Sequence, residues 1–349
     1  MKNEKFLIID SRPYGLFSIF LHTIDNIKWA EENGYIPVVR WGPGRRDPNR
    51  GRAGTEEAHR KRHPGYVIDR TNFVTDQTPP SINNTHGLKH CQNLYYSADG
   101  HNGSTNPWEY YFEPLNEYTV AMAEDGAHDV SDIFMVGEFD FDPANKFLIT
   151  NLHSYEPLIL WRYLGAEPDI PHEETAEYAH RNNVTRVIDQ HVKVRPEIMQ
   201  KVDAFYDKYF SGDVLGVHVR GTDKKLEWPH KALPLSAYIE SIEEYLTTHP
   251  DSKIYVASDN NEAIGEIIKR FGREKIIVYG AVRMKDYLSK DPICLTAATG
   301  PKHGEEVLIE CLLLSRTKHI ICTDSNVAAG ALYMNPNITT TYLNRRYGE

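Results

Sequence analysis

An apolar run ends abruptly at Val214-Leu-Gly-Val-His218-Val-Arg220-Gly-Thr222-Asp223-Lys224, in groups that can grip an anion and move a proton. Arg220 carries a planar fork of donors suited to phosphate oxygens. Gly221 lets the backbone turn or approach closely. Asp223 and Glu227 are carboxylates able to take a proton from a hydroxyl, with Lys224 between them to orient a second substrate. Two further stretches share this grammar: Ala257-Ser258-Asp259-Asn260, and Cys322-Thr323-Asp324-Ser325-Asn326. Each puts small or hydrogen-bonding groups where an apolar run meets a turn. The third runs into a helical stretch, whose first N–H groups and the Ser325 hydroxyl suit a phosphate. Ser325 serves equally as an ordinary N-cap. Glu310 lies in a strongly apolar helical stretch, so it must be paired or exposed. A carboxylate there can accept two hydrogen bonds from the N1 and N2 edge of guanine, or simply face water.

The elements that must position these groups read as alternating strands and helices. Val214–Val219 has the continuous apolar character of a buried parallel strand. Such a strand delivers its C-terminal end to the ligand crevice of an open sheet. Strands are also expected at Lys253–Ser258, Lys275–Tyr279 and Lys318–Thr323. Helices are expected at Glu197–Phe210, Leu235–Thr248, Glu262–Phe271, Glu305–Arg316 and Ser325–Met334. The beginning of the chain repeats the rhythm. Phe6-Leu-Ile-Ile is a strand, and Ser11-Arg-Pro-Tyr14-Gly15 a turn. Leu16–Asn33 is a helix closed by Gly34, and Ile36–Arg40 a second strand. We place a domain boundary near residue 195, giving an N-terminal α/β domain over 1–195 and a C-terminal Rossmann-like domain over 196–349. Residues 41–66 form a Gly/Pro/Arg loop, either solvated or a basic lid for an anionic ligand. In Asn106-Pro-Trp108-Glu-Tyr110-Tyr-Phe-Glu-Pro114 the Trp108 and Tyr110 rings either stack on a sugar or pack beneath the site.

Composition bounds the function classes. The 349 residues suffice for a large core, and the formal net charge of -10 argues against a general nucleic-acid binder. No run of about 18 apolar residues exists, so no membrane span is expected. The start, Met1 to Asp10, turns acidic too soon for a secretory leader and reads as a strand. Cys91, Cys294, Cys311 and Cys322 show no CxxC spacing; Cys311 and Cys322 lie in apolar runs and read as buried thiols. The expectation is a cytoplasmic protein, bacterial or viral rather than Golgi-resident.

In order along the chain, His218-x-Arg220-x-Thr222-Asp223-Lys224, a strand ending Ala257-Ser258-Asp259, and Leu312-Leu-Leu-Ser-Arg-x-x-x-Ile-x-Cys-Thr-x-Ser325-Asn326 together resemble the fucosyltransferase superfamily. That superfamily contains the α-1,6-fucosyltransferases, the nodulation fucosyltransferases and the protein O-fucosyltransferases. The motifs cover about residues 215–330, and the Tyr14-Gly15 turn with its helix is similar to the family's first domain. The resemblance implies a GT-B type α/β fold, with two Rossmann-like domains facing a cleft. It implies inverting transfer of L-fucose from GDP-fucose to a glycan hydroxyl, without a metal or other cofactor. By the same resemblance Arg220 holds the pyrophosphate and His218 the guanosine portion. Glu310 stands where the family has a guanine-reading Asp. Ser325 and Asn326 stand where serines contact phosphate, with Ser258, Asp259, Thr323, Tyr14 and Gly15 completing the donor side. Lys224, Trp108 and Tyr110 are assigned to the acceptor. Three departures stand out: Gly221 replaces a second arginine, Glu310 is one methylene longer than Asp, and Asn326 replaces a serine.

Inverting transfer requires charge stabilisation on the leaving diphosphate, which Arg220 and a helix N-terminus supply. It also requires a base, for which Glu227 ranks ahead of Asp223. Asp140-Phe-Asp142 matches a metal-binding DxD pattern, one that arises easily by chance among 49 acidic residues. The competing readings are a transferase using another donor, such as GDP-mannose, and a non-catalytic nucleotide- or glycan-binding protein on the same fold.

Overall fold

The computed structural model describes residues 6–10, 15–41, 95–97, 99–124, 148–150, 170–221, 233–283 and 300–344. The chain divides into two compact units. The first gathers the described residues of Met1–Ser154 with His191–Lys193 and Gly300–Lys302. The second gathers those of Tyr155–Gln190, Val194–Ile293 and His303–Glu349.

In the first unit β1 (Phe6–Asp10), α1 (Leu16–Asn33), β2 (Ile36–Arg40) and β3 (Leu148–Thr150) build a parallel sheet of order β2-β1-β3. The helix ends where the sequence predicts. Gly34 adopts φ 71°, a left-handed conformation that glycine enters without steric cost, and its N–H caps Ala30 and Glu31 carbonyls. Two short helices follow, α2 (Pro107–Tyr111) and α3 (Val120–Glu124). Asn106 caps α2 by accepting from the Trp108 N–H, and its amide also bonds the Val39 carbonyl at 2.8 Å. This fastens the aromatic segment to the end of β2.

In the second unit β4 (Val214–Val219), β5 (Lys253–Ser258), β6 (Ile276–Ile277), β7 (His319–Cys322) and β8 (Thr339–Tyr342) form one all-parallel sheet of order β6-β5-β4-β7-β8. Every residue of β4 is buried, as a central strand covered on both faces requires. Leu215, Val217 and Val219 pack with Ile242, Val256, Ile264 and Ile321 in the core. The helices are α4 (Ala176–His191), α5 (Pro196–Tyr209), α6 (Leu235–Thr248), α7 (Asn261–Phe271), α8 (Gly300–Leu314) and α9 (Asn326–Met334). The α/β class with parallel sheets is thus observed. Helix α4 joins the second unit through the fully buried Arg181. Its guanidinium bonds the Pro336 and Ile338 carbonyls at 3.3 and 2.5 Å, and pairs with Glu177.

Three elements differ from expectation. Helix α8 begins at Gly300, one turn or more before Glu305. The strand expected over Lys275–Tyr279 shortens to two residues at the sheet edge. Strand β8 was not anticipated: its Thr-rich, half-exposed sequence lacks an apolar run, and its pairing with β7 supplies what local pattern does not.

Candidate functional site

The three motifs converge because the strands that carry them are neighbours. In the register of β4 and β5, His218 faces Ala257 and Val219 faces Ser258; β7 lies on the other side of β4. Their C-terminal ends therefore form one continuous edge, where an open parallel sheet takes its ligand.

His218 is buried, and its Nε2 lies 2.7 Å from the Ser325 hydroxyl. Ser325 also caps α9 by accepting from the Val327 N–H at 3.3 Å. One hydroxyl thus ties the end of β4 to the start of α9. Burial drives the imidazole down to about 4; Asp259 opposes this and Arg220 adds to it. The ring is neutral at physiological pH. The Ala257 backbone is near enough to favour the charged ring, yet Nδ1 makes no well-formed hydrogen bond and is buried.

Arg220, one residue beyond β4, has its side chain about one-third exposed at 31%. Its Nη1 donates to Asp259 Oδ2 at 3.4 Å, while Asp259 Oδ1 accepts from the Gly221 N–H at 2.9 Å. One carboxylate on the β5 end therefore holds both the guanidinium and the next peptide. So exposed a pair adds little to stability; its effect is to aim the guanidinium. Asp259 thus braces Arg220 from the end of the neighbouring strand.

The neighbouring groups are largely engaged within the fold. Ser258 Oγ accepts from the Asn260 N–H at 3.1 Å, and Asn260 caps α7 through Ala263. Thr323 exchanges a hydrogen bond with Tyr238 on α6 at 3.1 Å. Asp324 accepts from Tyr342 of β8, and its N–H donates to Asn344. Asn326 opens α9, half-buried.

Glu310 lies buried on α8, paired with Arg283, a residue that no sequence motif singled out. The Arg283 side chain is only 4% exposed. It donates from Nε to the Ser258 carbonyl at 2.8 Å, and from Nη1 to Ala281 O at 2.7 Å. From Nη2 it donates to Tyr279 O at 2.8 Å and to Glu310. Burial pushes the Glu310 carboxyl up, with Asp259 and Glu306 adding to it, and the Arg283 guanidinium beside it pulls the other way in favour of the carboxylate. One turn earlier on α8, Glu306 accepts from the Val282 N–H at 2.9 Å and stands 4.0 Å from His303. The signal for Arg283 was an arginine following an apolar strand; without the tertiary fold nothing pairs it with Glu310.

Trp108 and Tyr110 sit inside the first unit's aromatic core. Trp108 packs against Phe20, Trp41 and Phe112, and its Nε1 donates to the Glu113 carbonyl at 3.0 Å. Tyr110 is fully buried and its hydroxyl donates to Ser97 O at 3.1 Å. Contrary to the acceptor assignment, neither ring has a face or a polar end to offer a sugar, since both are buried inside the first unit and their polar ends are bonded there. Gly15 is the exposed N-cap residue of α1, and the Tyr95 hydroxyl accepts from the adjoining Leu16 N–H at 2.8 Å. Tyr14, Asp140, Asp142, Thr222, Asp223, Lys224, Glu227 and the basic loop beyond Trp41 lie outside the described residues. Among the described residues, no group of three or more His, Cys, Asp or Glu could hold a metal ion, and no helix is long and apolar enough to cross a membrane. Cys311 and Cys322 are buried free thiols.

No protein-family model and no curated relative matches the chain. Among solved structures, it is similar to fucosyltransferase NodZ from Bradyrhizobium, at 16% identity and a TM-score of 0.47 over 95% of this chain and 94% of that one. A mutant of Arabidopsis thaliana FUT1 in complex with GDP is 13% identical, with a TM-score of 0.45 over 98% of this chain and 71% of that one. POFUT1 in complex with GDP-fucose is 10% identical, with a TM-score of 0.43 over 98% of each chain.

Proposed function

We propose that the protein is a glycosyltransferase that moves L-fucose from GDP-fucose to a glycan hydroxyl with inversion at the anomeric carbon. In this reading residues 196–349 hold the nucleotide sugar and 1–195 serve the acceptor. The observation that carries it is the alignment of three ligand-suited strand ends: His218 bonded to Ser325, and Arg220 aimed by Asp259. Departure of GDP builds negative charge on its β-phosphate. Arg220 and the first N–H groups of α9 are fixed donors for that charge, so stabilisation costs no reorganisation at the moment of transfer. A cation in this position performs the neutralisation that a metal supplies elsewhere. His218, neutral and held by Ser325, offers its second nitrogen to the nucleoside, and Glu310 accepts from the guanine edge. The acceptor hydroxyl loses its proton to Glu227 or Asp223, with Lys224 beside them. The sequence motifs supply this part of the proposal.

The test is release of GDP from GDP-fucose, with and without glycan acceptors, by wild type and Arg220→Ala. The proposal expects turnover in wild type and a loss of at least about a hundredfold in the variant, the scale of removing one charge-stabilising donor. Tight GDP binding without turnover in either protein would identify a binding protein instead. A thermal-shift series with GDP-fucose, GDP-mannose and UDP-sugars ranks the donors, and a uridine preference would contradict the role of Glu310.

A further inference from the structure

The polar cluster beside Ser258 holds a guanidinium where a ligand's base would be read. The four acceptors around Arg283 come from different parts of the second unit. Ser258 ends β5, next to the Arg220–Asp259 pair, while Tyr279 and Ala281 follow β6. Glu310 reaches in from α8. Ser258 lies at the C-terminal end of one parallel strand and Tyr279 and Ala281 beyond that of its neighbour, on the side where such sheets bind ligands. Guanine's N1–H and N2 amino edge is itself a cyclic guanidine, and it meets a carboxylate through the same two-pronged fork as arginine.

We propose that Arg283 is an internal mimic of guanine: its guanidinium occupies the carboxylate and carbonyls that read the donor's base, and it withdraws when the nucleotide binds. This rests on the reading of Glu310 as the base-reading carboxylate.

The exchange conserves the two-pronged hydrogen-bonding fork, although guanine's edge is neutral where the guanidinium is a cation. A buried carboxylate left without a partner is strongly destabilising, and Glu310 also faces Asp259 and Glu306, which would sharpen that cost. While Arg283 leaves as guanine arrives, the carboxylate keeps a guanidine partner. Uracil presents one N–H flanked by carbonyl oxygens, whose lone pairs would confront Glu310. It cannot replace what Arg283 provides, so the plug rejects bases that lack a guanidine edge. The cost is affinity: a ligand that must displace an internal group binds more weakly by the fraction of molecules already open.

Calorimetric titration of wild type, Arg283→Met and Arg283→Lys with GDP and with UDP tests this. Arg283→Met is expected to bind GDP about tenfold or more tightly than wild type, on the scale of one charged hydrogen bond no longer displaced. UDP should gain distinctly less than GDP, because uracil's carbonyl oxygens still confront Glu310 once the plug is gone. The variant should melt lower without nucleotide, yet gain more from GDP than wild type does. A cooperatively melting Arg283→Met that binds GDP no more tightly than wild type makes Arg283 a fixed brace and overturns the proposal. If that variant does not fold, Arg283→Lys takes its place, because lysine keeps the charge but not the fork. It too should bind GDP more tightly than wild type, and equal or weaker binding overturns the proposal. A wild type that binds GDP and UDP alike removes the base reading of Glu310 itself, and the mimic with it.

Discussion

The depressed basicity of His218 predicts a specific acid sensitivity. The ring falls from an ordinary 6.5 to about 4 in the fold, chiefly through burial. For a group whose folded pKa is depressed, the neutral form is the one the fold favours. Its contribution is complete above the unfolded value of 6.5 and drains away as pH falls toward 4. Linkage puts the loss on the order of 1–2 kcal/mol by pH 5.5 and on the order of 3 kcal/mol once the folded ring is protonated. His218→Gln removes the titration while leaving an amide to bond Ser325. Urea unfolding of both proteins at pH 7.5, 6.5, 5.5 and 4.5 gives the stability gap at each pH. The gap should shrink as the medium acidifies, by on the order of 1–2 kcal/mol between pH 7.5 and 5.5. His319, also lowered to about 4 by burial, and the carboxylates titrate in both proteins and cancel from the gap. A gap that stays constant across that range, or a His218 ring titrating near 6.5 by NMR, would refute the reasoning.

Other perturbations separate positioning from packing. Asp259→Asn should slow transfer by about 10- to 100-fold while changing GDP affinity less than about threefold, because it loosens the aim of Arg220 and also removes an opposing charge; steady-state kinetics beside calorimetry would show the split, and a purely affinity-based defect would contradict it. Ser325→Ala should cost about 1–2 kcal/mol in urea unfolding, since it removes both a helix cap and the partner of His218 Nε2; an unchanged midpoint would sink that account. Gly216→Ala should destabilise by about 1–3 kcal/mol with GDP affinity untouched. Its added Cβ would lie 2.7 Å from the Thr317 hydroxyl and 3.1 Å from Ile320 Cγ1.

Much of the second unit was legible because strand type and strand end are local properties. The runs at 214–219, 253–258 and 319–322 are mostly apolar, and the polar residues at or after their ends fall on one sheet edge once the strands pair in parallel. Helices α1 and α6 have the predicted bounds, because apolar spacing defines both and Gly34 closes the first. Pairings between distant residues were not legible. Nothing in the sequence around Arg283 announces its union with Glu310, 27 positions away, or says that Asp259 would brace Arg220. Trp108 and Tyr110 illustrate the converse. Aromatic rings with polar ends suit a sugar site and a satisfied core equally well, and only the carbonyls of Glu113 and Ser97 decide between them.

The burial of Arg181 sets a timetable for biosynthesis. Its carbonyl partner at Ile338 lies 157 positions further along the chain. Translation at about 5–20 residues per second leaves that guanidinium waiting roughly 8–30 seconds for its acceptors. Until then β8 is missing, β7 is an open edge, and the Arg181–Glu177 pair of α4 lacks the carbonyls it docks against. The emergence of β8 therefore satisfies α4 and β7 together, so the docking of α4 and the covering of that sheet edge wait on the same stretch of chain.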